Sequence, residues 1–193
     1  MPAGHRLPAL AAHDAHDPPI VRRQHAGVES FQPHRHHRAR HRTHHPFGQL
    51  YLITCIDPRV EPAAVLGVRL GEAIVARNLG GRVTPAVIKD LAWIVHLHEE
   101  KAPDADWFEI AVIHHTDCGS ALLADDDLRA GYAARGGWDE QTSLKMAVLS
   151  SKTVQEDVAK LRSTPELAPG IGNIAVGGYA YDLATGKVTT VVQ

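Results

Sequence analysis

Leu52-Ile53-Thr54-Cys55-Ile56-Asp57-Pro58-Arg59 is the stretch on which the reading of this chain turns. The apolar run Leu50 to Ile53 has the length of a buried strand and feeds directly into a thiol, a carboxylate and a guanidinium. In an extended backbone alternate side chains share a face, so Cys55, Asp57 and Arg59 are expected to point the same way. Three such groups on one face at a strand's end mark a site rather than a core. The chain's only other cysteine follows the apolar run Ile110 to Ile113, in His114-His115-Thr116-Asp117-Cys118-Gly119. Two strand ends that each deliver a soft ligand can converge on one metal ion.

Outward from these runs the chain alternates short strands with helices. Gln49 to Thr54 reads as a buried strand, and Glu61 to Leu66 as a short helix with Pro62 in its first turn, where a missing N–H costs little. Ala73 to Ala76 is a second strand ending in Arg77-Asn78-Leu79-Gly80-Gly81. Thr84 is placed to cap a helix with Pro85 at its first position; Val87, Leu91, Ile94 and Val95 keep the helical period until Lys101-Ala102-Pro103 ends it. Glu109 to His114, nearly all apolar, is expected to be a central strand covered on both sides. Cys118-Gly119 leads into a helix through Leu122 and Leu123, and Asp125 to Ser151 is a polar excursion with some helix. Thr153 to Leu161 is amphipathic. Asn173 to Asp182 and Lys187 to Val192 are strands joined by Leu183-Ala184-Thr185-Gly186, a hairpin signal. This order predicts an α/β fold with a mostly parallel central sheet flanked by helices, and ligand sites gather at the carboxyl ends of such strands.

At 193 residues and 44% hydrophobic content the chain fits one domain with a real core, 47–193, preceded by an extension. Residues 1–46 hold ten of the fourteen histidines, seven arginines, no lysine and three acids, with no sustained apolar period. Such a segment cannot bury enough surface to offset its chain entropy and is expected to be disordered. Its stretch His34 to His45 lacks the spacing with cysteines of a structural zinc site; it reads either as a solvated extension or as a metal-loading tail. A net charge of −2 and the absence of an aromatic platform or lysines in that segment argue against nucleic-acid binding. Two cysteines in unlike settings are no disulfide framework, and no stretch approaches membrane-spanning length, so a cytoplasmic location is expected.

Cys55, His115 and Cys118 would supply zinc with three protein ligands and leave one position open. Spacing alone fits equally well with two buried, inert cysteines and a surface histidine. Adjacent strand side chains point oppositely, so only one of His114 and His115 can face the ion, and the local sequence does not say which. The wider pattern is more specific. Cys55-x-Asp57-x-Arg59, then Ala76-Arg77-Asn78-x-Gly80-Gly81, then His115-x-x-Cys118-Gly119 resembles the β-class carbonic anhydrases over roughly residues 49–183, and is most similar to the shorter prokaryotic and fungal members.

That resemblance implies one zinc per subunit held by Cys55, His115 and Cys118, an Asp57–Arg59 catalytic dyad, a homodimer or higher homo-oligomer, and interconversion of carbon dioxide and bicarbonate. Zinc hydroxide would be the nucleophile, because bound zinc brings the pKa of water from about 15.7 to about 7. Two thiolates cancel the ion's formal charge, so the activity is expected to rise on the alkaline side of neutral. Asp57 would orient the hydroxide, and Arg59 would hold Asp57 bidentately and keep it off the open position. The same zinc set in some relatives hydrolyses carbon disulfide or carbonyl sulfide, which is the nearest alternative; a non-catalytic zinc-binding protein is the other. Asn78, Gly80 and Gly81 lack phosphate-loop spacing and are read as a tight turn or close backbone approach. Asp125-Asp126-Asp127 is read as a solvated helix end. Trp93, Trp107 and Trp138 are read as packing or interface residues.

Overall fold

The computed structural model describes residues 50–69, 71–101, 108–167 and 174–193. The expectations for the 1–46 extension, the strand start at Gln49, the Ala102-Pro103 terminator, Trp107 and Asn173 fall outside these residues.

Five strands form one sheet: β1 (Leu50–Cys55), β2 (Ala73–Asn78), β3 (Phe108–His115), β4 (Ile174–Asp182) and β5 (Lys187–Val192), in the order β2-β1-β3-β4-β5. The first four run parallel, and β5 returns antiparallel to β4 through the expected hairpin. β1 and β3 lie inside the sheet, and every residue of β1 is buried. Continuous apolar runs rather than alternation are what two covered faces demand.

The two faces have separate cores. Tyr51 and Ile53 of β1 with Ile110 and Val112 of β3 pack against Val87, Leu91 and Val95 of α2 (Pro85–Lys101) and Val154, Val158 and Leu161 of α5 (Ser151–Arg162). Leu50, Leu52, Ala111 and Ile113 face the other way, onto Val60, and onto Val65 and Leu66 of α1 (Pro62–Leu66). Between β3 and α5 the chain makes a 3-10 turn at Gly119–Ala124 and then α3 (Asp126–Ala134) and α4 (Glu140–Met146). The helix expected after Gly119 is thus a tighter 3-10 element. Asp125 caps α3 by accepting the Leu128 N–H at 2.9 Å, in keeping with a solvated helix end.

One buried ion pair ties the excursion to the sheet. Arg82 donates to Asp157 of α5 at 2.6 Å and to the carbonyls of Lys145 and Ala147 at 2.7 and 2.9 Å. Asp157 has no exposed side-chain surface, and His114 Nε2 stands 3.3 Å from its Oδ2. Burial pushes the Asp157 carboxyl up, but His114 and Arg82 outweigh it, and the net shift is downward.

β2 is an edge strand and only partly covered, with Val75 40% exposed. Trp93 on α2 is 59% exposed and Ile56, just past β1, is 55% exposed. Trp93 and Trp138, the latter 40% exposed, are therefore not core residues of this chain; Trp138 meets Tyr132 edge-on at 6.2 Å. Among the described residues no helix is long and apolar enough to cross a membrane.

Candidate metal centre

β1 and β3 are adjacent and parallel, so the strand ends that carry Cys55 and His115 lie at the same end of the sheet. The chain after His115 turns sharply, with Asp117 at φ 53, and returns Cys118 to the same point. The two sulfurs lie 3.8 Å apart, and one ligand atom from each of Cys55, His115 and Cys118 falls within 4.8 Å of the others. All three residues are buried. Strand alternation separates the two histidines as expected: His114 takes the face of Ile110 and Val112 toward Asp157, and His115 joins the cysteines.

A metal fits here on the chemistry of the donors. His115 Nδ1 is 2.9 Å from the Thr116 carbonyl, which can only accept, so this nitrogen carries the proton. That leaves Nε2 as a lone pair, buried and without a hydrogen-bond partner. Tetrahedral zinc with sulfurs at about 2.3 Å requires a sulfur–sulfur separation of roughly 3.8 Å, the spacing seen. The hydrogen bond shared with Cys55 draws the Cys118 thiol down, helped by His115 and by the hydroxyl and N–H of Ser120, while burial opposes. Cys55 is pushed up by that shared proton and by burial. Burial opposes the imidazolium of His115, yet Cys118, the Thr116 carbonyl and Asp57 together raise it.

Asp57 and Arg59 reach the centre in a way that differs from the strand-face expectation. β1 ends at Cys55, and residues 58–59 form a turn, so turn geometry rather than alternation brings the pair round. The Asp57 N–H approaches Cys55 Sγ at 3.4 Å, and Asp57 Oδ2 stands 4.0 Å from His115 Nε2. Arg59 holds Asp57 bidentately, Nε to Oδ1 at 3.0 Å and an Nη to Oδ2 at 2.7 Å, with its own N–H on Oδ1 at 2.9 Å. Those bonds keep the Asp57 carboxyl near 2, and it stays ionised.

The glycine string is a matter of space. A Cβ on Gly81 would lie 2.7 Å from the Thr54 carbonyl carbon, and one on Gly80 would meet Ser120 and Val148 at 2.9 Å. Both glycines have positive φ, and the Gly80 N–H supports Cys55. Asn78 clamps the following backbone by bonding both the N–H and the carbonyl of Arg82.

Four contributors escape the sequence reading. Arg77 donates to the carbonyls of Cys55, Asp57 and Val60 at 3.0, 2.8 and 2.9 Å and so fixes the turn carrying Asp57. Ser120 Oγ is 3.1 Å from Cys118 Sγ. Asp117 takes two bonds from Arg59. The Arg82–Asp157 pair braces the segment behind the cysteines. Of these, Arg77 and Asp117 lay inside quoted motifs, and nothing in their spacing shows that one would serve carbonyls and the other Arg59.

A family model described as carbonic anhydrase matches residues 50–188, which contain every residue of this centre. The chain belongs to that family. A β-carbonic anhydrase from Mycobacterium tuberculosis is 29% identical over 146 residues, covering 76% of this chain and 83% of that protein. The crystal structure of the Streptococcus mutans carbonic anhydrase is 33% identical, with a TM-score of 0.57 and coverage of 76% of this chain and 82% of that one. A carbon disulfide hydrolase from Saccharolobus solfataricus is 33% identical over 88 residues, 46% of this chain and 40% of that protein. The fold expected from the alternating elements is thus that of the β-carbonic anhydrases, and this chain is a carbonic anhydrase by family.

Proposed function

We propose that this chain interconverts carbon dioxide and water with bicarbonate and a proton at one zinc ion held by Cys55, His115 and Cys118. The observation that carries the reading is an ionised carboxylate, Asp57, fixed by an arginine 4.0 Å from the one unpartnered ligand nitrogen. A storage site gains nothing from such a pair.

Zinc held by these residues supplies acidity to water and a Lewis-acidic contact near neutral pH. The chain's own groups do the rest. Asp57, being ionised, only accepts hydrogen bonds, so it can take the O–H of the attacking oxygen and turn a lone pair toward the carbon of carbon dioxide. Arg59 occupies both carboxylate oxygens and restrains Asp57 from swinging onto the ion. N–H groups of Asp57, Gly80 and Ser120 with the Ser120 hydroxyl draw charge from the two sulfurs.

Arg59→Ala is expected to lower kcat by at least about tenfold while zinc stays bound, since the ligand set is untouched. Metal analysis beside stopped-flow assay separates the two; unchanged turnover removes Arg59 from the mechanism. The rate of hydration is expected to climb with pH through and above neutrality, because two anionic sulfurs leave the ion less acidifying than three imidazoles would. A flat profile from mildly acidic to alkaline pH contradicts this.

Carbon disulfide hydrolysis is the second reading, favoured by the similarity over 88 residues to such an enzyme. Stopped-flow hydration of carbon dioxide, run beside hydrogen sulfide release from carbon disulfide on the same zinc-loaded protein, decides between them. Hydration with little sulfide release is expected, and the reverse overturns the assignment. We further infer a homodimer or higher oligomer, supported by the uncovered β2 edge and by exposed Val75, Trp93 and Ile56. A cytoplasmic location and a separate unit for residues 1–46 also belong to the proposal; they rest on cysteine usage and composition.

A further inference from the structure

Asp117 sits between two metal-binding positions without being one, and its backbone is unusual. Among the described residues it is the one non-glycine residue with positive φ, 53. That conformation is uncommon outside glycine but is tolerated by Asp and Asn. It presents two oxygens to the same partner: Arg59 donates one Nη to Asp117 Oδ2 at 2.8 Å and the other to its main-chain carbonyl at 2.9 Å. The Nη that reaches this carbonyl also reaches Asp57 Oδ2. Arg59 is therefore gripped on one side by Asp57 and on the other by the loop that carries His115 and Cys118.

A guanidinium is planar, so fixing its outer edge fixes the direction of its inner edge. With Asp57 alone, Arg59 is a half-exposed side chain tied to a carboxylate two residues away, and the two can turn together. With Asp117 as a second anchor, the turn of residues 57–59 is locked to the ligand loop, and Asp57 has no free swing toward the ligand atoms. Asp117 is itself mostly exposed, with 81% of its side-chain surface accessible. An ion pair so exposed contributes little to folding, so its effect should fall on geometry rather than on stability.

We propose that Asp117 is a positioning residue, which anchors Arg59 from outside and thereby holds Asp57 in the arrangement that leaves the metal's fourth position open. This rests on the zinc reading above, and the experiment separates the two. Wild-type protein, Asp117→Asn and Asp117→Gly are loaded with cobalt(II), whose visible spectrum reports its ligands, and assayed with zinc for carbon dioxide hydration. Asn keeps the left-handed backbone and an oxygen acceptor, whereas Gly keeps the backbone alone.

For Asp117→Gly the expected result is a loss in kcat of about tenfold with KM changed less than about twofold, and a cobalt spectrum shifted toward carboxylate ligation. The spectral shift should vanish when Asp57→Asn is added, and Asp117→Asn should recover most of the lost rate. A Gly variant with the wild-type spectrum overturns the inference, as does a shift that persists without Asp57. Equal impairment of the Asn and Gly variants with unchanged spectra also overturns it, and assigns the loss to the loop. A wild-type protein that takes up no cobalt instead sinks the zinc reading, and this inference falls with it.

Discussion

Cys118→Ser is expected to strip the subunit of its metal. Cys118 Sγ is 3.8 Å from Cys55 Sγ and 3.1 Å from Ser120 Oγ, and these contacts favour its thiolate. A serine hydroxyl stays protonated at neutral pH and offers zinc a weak neutral oxygen where the site was built for an anion. Loss of a partner that merely supports a ligand costs about 10–100-fold in metal affinity, and loss of the ligand itself should exceed about a hundredfold. The fold should survive, because Cys118 clusters with Cys55 and Val148 apart from the two main cores. Metal analysis after dialysis and competition with a chromophoric chelator read the effect. Retention of one zinc per chain at wild-type affinity contradicts the assignment. Zinc takes thiolates and a neutral imidazole, so binding must release the thiol protons, and uptake should weaken as pH falls.

Asp157→Asn should cost more folding stability than any change in the site itself. The amide is nearly the same size but leaves Arg82, only 8% exposed at its side chain, facing a neutral group. Breaking a buried ion pair from one side costs about 3–5 kcal/mol. In a domain of this size that corresponds to a fall in melting temperature of roughly 10 °C. The segment 145–147, held by Arg82 through two carbonyls, should loosen first. The sign with pH follows from the depressed carboxyl of the native state. Its stabilisation is present above the unfolded carboxylate range, near 3.9, and is lost as acid carries the pH down through the lower native value. Thermal melts of the two proteins should differ at neutral pH and converge in strong acid. Equal melting temperatures at neutral pH contradict the bracing role.

Both pairs bear on how much of this molecule its sequence discloses. The Cys55–His115–Cys118 cluster was legible because Cys55 and His115 close two apolar runs and Cys118 follows three residues on: parallel pairing of β1 and β3 brings both strand ends to the same end of the sheet. The glycines were legible for a related reason, as Gly81 packs so close to Thr54 that no side chain fits. The orientation of Asp57 and Arg59 was anticipated for the wrong reason, since the strand stops at Cys55 and a turn does the aiming. Arg82 and Asp157 were opaque. They lie 75 residues apart, each looks like a surface charge in its own segment, and only the packing of α5 on the sheet reveals that both are buried. Asp117 stood in plain view between His115 and Cys118. Its role depends on a positive φ and on two oxygens meeting one guanidinium, which no spacing rule encodes.

The central claim is that two sulfurs and one imidazole of this chain hold a single zinc and leave it a fourth position. Zinc-edge X-ray absorption on the full chain loaded with one equivalent of metal tests it most directly. The account predicts two sulfur scatterers at about 2.3 Å and two nitrogen or oxygen scatterers at about 2.0–2.2 Å, one of them an imidazole. A shell of nitrogen and oxygen alone, with no sulfur at that distance, would place the metal elsewhere and contradict it.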